Sequence, residues 1–333
     1  MPASPRLTAV VLTWNEAANI ADCLASLAAQ RDPGLEVVVI DAASTDATAA
    51  LVRGAIADFP GPLRLEVAPR RISVGEARNR GVALARAPLV AFLSADATVE
   101  DGWSREAQRA LEGADVVYGA QVHAPARWTV AAAVRGLRYA GRERPGQAPE
   151  ALASHVNAAM RLEVARALPI GQDAAASAVD DVLLARRASR AGYRLAFAPA
   201  LRARHRDAAT ARAELRKNLR EGLGWGAHAR ELGLHKPLLA WLALLAAASA
   251  WVVAMPGMAS LALLAGALWL PAMRRAARAS SMPGRWRLLG ALASPPFDLA
   301  FLAAYVRGLL APARAPARAP APAREPTGRG GIP

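Results

Sequence analysis

Four short apolar runs, each ending in a polar turn, constrain the first two thirds of this chain more than any other feature. They occupy residues 7–12, 35–40, 63–67 and 89–93. Each is short and rich in β-branched residues or leucine, the pattern of a strand buried in a parallel sheet. Between the first two, residues 16–29 carry Ile20, Cys23, Leu24 and Leu27 at helical spacing. Residues 45–59 supply a second amphipathic stretch, which Ser44 or Asp46 is placed to cap. Strand, helix, strand, helix, strand predicts a right-handed doubly wound, Rossmann-like α/β sheet. Ligands of such sheets bind beyond the carboxyl ends of the strands, and the unusual polar residues of this sequence fall there.

The character changes at residue 237. Residues 238–255 hold one polar side chain, Ser249, in a run about as long as a bilayer-spanning helix. Pro256-Gly257 is a turn signal, and residues 258–273 form a second apolar run. Arg216, Lys217, Arg220, Arg230 and Lys236 precede the pair, and Arg274, Arg275, Arg278, Arg285 and Arg287 follow it. A membrane hairpin with both ends in the cytoplasm satisfies the positive-inside rule. A third apolar stretch, residues 288–310, is interrupted by Pro295-Pro296 and Asp298 and carries Arg307. It is expected to be re-entrant or interfacial, which keeps the Arg-containing tail inside.

Composition sharpens this division. The chain has 333 residues, a net charge of +14 and 54% hydrophobic residues. That apolar content excludes disorder over most of the length, and the arginine clusters at the expected membrane borders argue against nucleic acid as the partner. The single cysteine, Cys23, excludes a disulfide framework and a multi-cysteine metal site. No signal peptide is expected, because residues 1–7 lack the apolar stretch. The expected divisions are a sheet domain at 1–206, a basic interfacial segment at 207–236, a membrane region at 237–310 and an Ala/Pro/Arg-rich disordered tail at 311–333. Gly222, Gly224 and Gly226, interleaved with Trp225, predict a break in the basic segment and an interfacial tryptophan.

The motifs lie after the strands. Thr13-Trp14-Asn15-Glu16 follows the first run, Asp41-Ala42-Ala43-Ser44-Thr45-Asp46 ends the second, and Ser94-Ala95-Asp96 ends the fourth. Between them stands Gly75-Glu76-Ala77-Arg78-Asn79-Arg80-Gly81. Further on come Asn157-Ala158-Ala159-Met160-Arg161, Asp180-Asp181, Gly192 and His205. In order and spacing, residues 6–206 resemble the inverting family 2 glycosyltransferases of GT-A fold. The apolar C-terminal region resembles that family's membrane-attached bacterial members, which build exopolysaccharide and other surface glycans. A Rossmann dehydrogenase is disfavoured, because no Gly-x-Gly-x-x-Gly follows the first run.

The resemblance implies a nucleotide-sugar donor, with uracil as its base, held by Thr13, Asn15, Glu16, Asp41, Arg78, Asn79, Ser94 and Ala95. Asp41 would accept an N–H of the base, Glu16 and the Thr13 backbone would hold ribose and base, and Arg78 would lie near base and phosphates. Turn-capping for Asp41 and first-turn helix stabilisation for Glu16 remain alternatives, and Asp46 reads as a first-turn helix acid. Asp96 is the retained acid of the family's D-x-D, and with His205 it is the implied site for Mn2+ or Mg2+. One carboxylate and a diphosphate can satisfy such an ion, although a lone histidine is more often structural. Asp181 is implied to be the catalytic base, supported by Asp180, and both also suit helix capping. Two departures stand out: Ser94 replaces the first D-x-D acid, and Ala42-Ala43 replaces Asp-Gly.

The expected activity is inverting transfer to a hydroxyl of a lipid-linked saccharide at the cytoplasmic face of a bacterial inner membrane, with lipids as partners. The alternatives are transfer to a polyprenyl phosphate and a non-catalytic nucleotide-sugar-binding homologue.

Overall fold

All four expected strands form, as β1 (Leu7–Thr13), β2 (Leu35–Asp41), β3 (Leu63–Val67) and β4 (Leu89–Ser94). The computed structural model describes residues 4–123, 125, 127–139, 149–171, 178–206, 210–233, 236–255, 257–279 and 282–311. β1–β4 are parallel, and their register sets Thr13 beside Asp41 and Leu12 beside Ser94. Val11, Val39 and Leu93 enter one core, whereas Val10, Val38 and Phe92 enter a second on the opposite face. Two covered faces explain why the runs are apolar at consecutive positions.

Beyond β4 the sheet is no longer all parallel. β5 (Ala97–Val99), β6 (Val116–His123), β7 (Asn157–Arg161) and β8 (Leu195–His205) complete a sheet of order β3-β2-β1-β4-β7-β6-β8-β5. β7 runs antiparallel to both β4 and β6, β8 runs parallel to β6, and β5 pairs antiparallel with β8. The sheet is therefore mixed: β7 enters reversed, and the β4–β5 connection is too short for a crossover helix.

The helices flanking the first half are α1 (Ile20–Ala28), α2 (Thr48–Ala55), α3 (Val74–Leu84) and α4 (Trp103–Ala110). α1 begins four residues later than expected, after a turn in which Asn19 and Ile20 donate to the Glu16 carbonyl. Asp46 is not a first-turn acid, because α2 begins two residues after it, but its Oδ1 accepts from the Thr48 N–H at 3.0 Å. α5 (Val130–Tyr139), a 3-10 turn (Pro149–Leu152), α6 (Leu162–Ala167) and α7 (Asp180–Arg190) follow.

The C-terminal third comprises α8 (Ala211–Ala227), α9 (Ala229–Leu232), α10 (Lys236–Ala254), α11 (Met258–Arg278), α12 (Gly284–Ala293) and α13 (Pro295–Leu310). The expected break in the basic segment is absent: α8 runs unbroken through all three glycines. The reason is close packing. A Cβ at Gly222 would strike the Phe301 carbonyl, one at Gly226 the Tyr305 carbonyl, and one at Gly308 the Leu223 carbonyl. Glycine there lets α8 and α13 touch backbone to backbone. Trp225 is half-buried and packs against Val179, Leu183 and Leu232. α8 is fastened to α5 by the buried Arg135–Glu214 pair at 2.6 Å, and Ala133 and Leu137 of α5 share a core with Ala272 and Ala291 of α11 and α12.

The expected hairpin is present as α10 and α11. Among the described residues, however, no single helix is long and apolar enough to cross a membrane. α10 offers a short apolar stretch, Leu238–Ala254, and α11 ends in Arg274, Arg275 and Arg278. The pair that passes together is Gly284–Ala293 with Pro295–Leu310, bent by 46°, as expected for a stretch broken by Pro295-Pro296. Residues 312–333, read as the disordered tail, lie outside the described residues.

Candidate active site

Antiparallel pairing of β5 with β8 builds the first acidic centre. The chain leaves β4 at Ser94, turns through Ala95 and Asp96 and enters β5 with Ala97 opposite His205. Asp96 therefore meets His205, with Nε2 and Oδ1 3.1 Å apart, and the Asp96 carbonyl accepts from the Arg206 N–H at 2.7 Å. Both side chains are partly exposed. Glu16 lies close by: burial pushes its carboxyl up, the Asn19 amide hydrogen bond opposes this, and the Asp96 charge adds to the rise. Among the described residues no group of three or more His, Cys, Asp or Glu side chains could hold a metal. Asp96 and His205 are two side chains of a kind that a divalent ion would accept, with phosphate oxygens and water filling its other positions. Cys23 is sealed nearby, and burial pushes its thiol up, so it offers no thiolate.

The loops after β1 and β2 are knotted together. Asn15 adopts φ +55° and accepts from the Thr45 N–H at 2.8 Å, while its own N–H donates to Ser44 Oγ at 2.8 Å. Ser44 donates its N–H to Asp41 at 3.0 Å and also its hydroxyl. Asp41 is fully buried, so the turn-capping role is realised at this carboxylate. Ala43 sits at φ +60°, the left-handed conformation that glycine adopts without a Cβ clash. The Thr13 carbonyl accepts from Ala42, its hydroxyl is buried without a partner, and the Glu16 N–H donates to Thr48 Oγ1 at 2.8 Å. The Ser94 carbonyl faces the Cys23 thiol at 3.9 Å, and the Ala95 N–H donates to Leu12. Thr13, Asn15, Glu16, Asp41, Ser94, Ala95, Asp96 and His205 thus gather at one end of the sheet.

Arg78 and Asn79 are placed elsewhere. Arg78 is buried and forms an ion pair with Asp180 at the start of α7. Burial lowers it to about 10, and the nearby Asp181 charge raises it. Asn79 uses both ends of its amide on the Ile170 backbone, at 2.8 and 3.0 Å. Asp181 lies in the first turn of α7, whose N-cap position, Val179, makes no side-chain cap, and its carboxylate accepts from the Val182 N–H at 2.8 Å. Asn157, in the block that resembles the acceptor side, instead ties strands together: its amide donates to Ala120 and Leu201 and accepts from the Trp103 indole.

Two features escape the sequence reading. Arg71 lies 3.9 Å over the exposed Trp14 ring. It is lowered by burial and by the like charge of Arg220 on α8, with Asp41 opposing. The Arg70-Arg71 pair after β3 was a visible signal for it. His155 had none, because its role depends on tertiary neighbours: it is buried, its Nδ1 is 3.5 Å from Asp180, and its ring meets the edge of Phe92. Burial and then the Arg78 charge hold it well below the usual histidine range.

Residues 8–168 match the family Glycosyl transferase family 2. The succinoglycan biosynthesis protein ExoO of Rhizobium meliloti (strain 1021) is 40% identical over 119 residues, 35% of this chain. The match spans 32% of that protein's length. The structure of the mannosyltransferase PcManGT from Pyrobaculum calidifontis, in complex with GDP-Man and Mn2+, aligns with a TM-score of 0.59 at 24% identity. It covers 92% of this chain and 88% of that one, a likeness of fold.

Proposed function

Residues 8–168 belong to glycosyl transferase family 2, which makes this chain a glycosyltransferase, and from that premise we propose an inverting transfer from a nucleotide-diphosphate sugar to a hydroxyl of a lipid-linked saccharide. The observation that carries the reading is the meeting of Asp96 and His205, 3.1 Å apart, at the end of the sheet that also holds Asp41. Asp41, Asn15 and Glu16 bind and orient the nucleoside end of the donor. Asp181 takes the proton of the acceptor hydroxyl as its oxygen attacks the anomeric carbon. The bond from that carbon to the diphosphate breaks on the opposite face, and a positioned base of this kind contributes about 10²–10⁴-fold. Asp96 and His205 would hold a Mn2+ or Mg2+ ion, which when bound neutralises the leaving diphosphate as a Lewis acid.

The acceptor's membrane setting rests on the C-terminal helices. Val253 and Met258, flanking the α10–α11 turn, are 83% and 85% exposed, with Trp251, Met255 and Leu261 also open. An apolar tip of that kind suits lipid rather than water. Arg212, Arg216 and Arg220 line α8 at helical spacing and are exposed, which suits anionic headgroups at the cytoplasmic face of a bacterial inner membrane. Arg220 acts on Arg71 beside Asp41, so this face of α8 adjoins the donor end of the sheet. The partial likeness to ExoO supports exopolysaccharide synthesis as the setting.

Thermal unfolding with a panel of nucleotide sugars, with and without Mn2+, tests the donor site. A donor at 100 times its Kd stabilises by about 2.7 kcal/mol, and Mn2+ is expected to enlarge the shift. If no nucleotide raises the melting temperature, the donor-site reading fails. Asp181→Asn tests the acceptor: near-complete loss of turnover is expected for a hydroxyl, whereas retained turnover would mean an already ionised acceptor such as a lipid phosphate.

A further inference from the structure

Tyr118 carries a polar group that the proposed mechanism does not use. In the register of the sheet, Ala158 on β7 pairs with Phe92 on β4 and with Tyr118 on β6, and Tyr118 pairs in turn with Phe197 on β8. Paired residues share a face, so these four side chains form one row across the second core. Tyr118 is fully buried there. Phenylalanine would fill such a place equally well, as it does at 92 and 197. What tyrosine adds is one hydroxyl, and that oxygen is sealed from solvent with no hydrogen-bond partner among the described residues. A buried polar group left unpaired costs stability that an apolar side chain of the same shape avoids.

The surroundings of the hydroxyl narrow down what can claim it. The 3-10 turn at Pro149–Leu152 packs against β6, β8 and α7. α7 lays Leu184, Ala185 and Ala188 on the same core as Tyr118, and its first turn carries Asp180 and Asp181. Asp180 is already paired with Arg78 and faced by His155 at 3.5 Å, where His155 is held neutral. Asp181 and Glu150 are the acids whose charges reach Tyr118. Burial pushes the phenol up, the Asp181 charge adds to the rise and the Glu150 charge adds less, so the hydroxyl stays protonated. Towards a carboxylate it is therefore a donor. Asp181 also acts on the Arg78 cation.

We propose that Tyr118 is a positioning residue for the acceptor side of the reaction: with an acceptor seated, its otherwise unclaimed hydroxyl donates to the Asp181 carboxylate and fixes the orientation of the base. The role rests on the reading of Asp181 as that base. A hydrogen bond to the charged form of a carboxylate favours that form, which keeps Asp181 ionised in a neighbourhood that also holds Asp180 and Glu150. Tyr118 acts through Asp181 and touches no substrate. The acceptor proton still passes to Asp181, and the phenol keeps its own.

The test compares Tyr118→Phe with the parent in the full chain, since this change removes one oxygen and keeps the ring. Turnover is followed against pH, with the nucleotide sugar that stabilises the chain most as donor and a lipid-linked saccharide extract of bacterial membranes as acceptor. UDP and GDP, each with Mn2+, are the binding probes. Tyr118→Phe is expected to lower kcat by about 10-fold, the scale of one hydrogen bond to a charged group. The acidic limb of the kcat profile, which reports the base in the loaded enzyme, should move up by about one pH unit as the donor to the carboxylate is lost. Nucleotide Kd should be unchanged, and the melting temperature should hold or rise, because the hydroxyl makes no hydrogen bond in the fold. Parent-like turnover with the limb unmoved would overturn the role, and so would a lowered melting temperature beside normal kinetics, the mark of a packing residue. A nucleotide Kd weakened by about tenfold with the limb unmoved would move Tyr118 to the donor side and overturn it as well. Asp181→Asn separates the two levels: full turnover there removes the base reading itself, whereas a dead Asp181→Asn beside a kinetically normal Tyr118→Phe removes only the role of Tyr118.

Discussion

The two acidic centres of this molecule use carboxylates in opposite ways. Asp96 faces His205 in a partly exposed pair at the end of the sheet, where either side chain can exchange its partner for a ligand. Asp180 is sealed against Arg78 and His155, where exchange would strand a buried charge. An open pair suits coordination and a sealed pair suits positioning, and the difference comes from burial rather than from residue type.

Substitution should separate them sharply. Asp180→Ala strands the Arg78 charge and is expected to destabilise the fold by about 3–5 kcal/mol, read as the denaturation midpoint. Asp96→Ala should do the reverse. Turnover should fall by about 10²–10³-fold, the cost of removing one group that stabilises developing charge, and stability should change by less than about 1 kcal/mol. Equal stability losses in the two variants would erase the distinction.

A pH series sharpens it further. His155 is neutral in the fold, with its pKa held well below 6.5 by burial. Below pH 6.5 the unfolded chain therefore takes up a proton that the folded chain refuses, and stability falls as pH falls. The expected slope from this group is about 1.4 kcal/mol per pH unit, continuing down to its folded pKa. His155→Leu should flatten that part of the profile, whereas His205→Leu should leave it in place. The smallest effect belongs to the loop at the open end. Ala43 at φ +60° carries a Cβ where glycine would not, so Ala43→Gly is expected to gain up to about 1 kcal/mol, seen as a higher melting temperature.

What the sequence made legible follows the same division. β1, β2 and β4 could be read because strands buried on both faces are apolar along most of their length, as Val37, Val38, Val39 and Ile40 are; β3, at the sheet edge, instead alternates Leu63, Leu65 and Val67 with Arg64 and Glu66. Asp96 and His205 could be paired only through the resemblance, since the register that joins them links residues more than a hundred positions apart. The pairing of Arg78 with Asp180 was not legible, because nothing local distinguishes an arginine that meets a phosphate from one that meets a buried aspartate. Gly222 and Gly226 read as breakers because their propensity is a local property. Their actual use, close approach of α13, appears only when both helices are in place. α10 and α11 followed from two apolar runs, whereas α12 and α13 read as one interrupted stretch, with the bend between them at Pro295 and Pro296.

The pairing of β5 with β8 also dictates an order of events. Ala97 waits for His205, so a ribosome that has made only the first two hundred residues has released a chain with Asp96 present and its imidazole still missing. Synthesis from the N-terminus lets the parallel half fold early, yet its donor pocket stays incomplete until β8 arrives. Truncated products ending before β8 are therefore expected to be unable to bring His205 to Asp96. The reactive centre closes late, when α7 and its carboxylates have already been made.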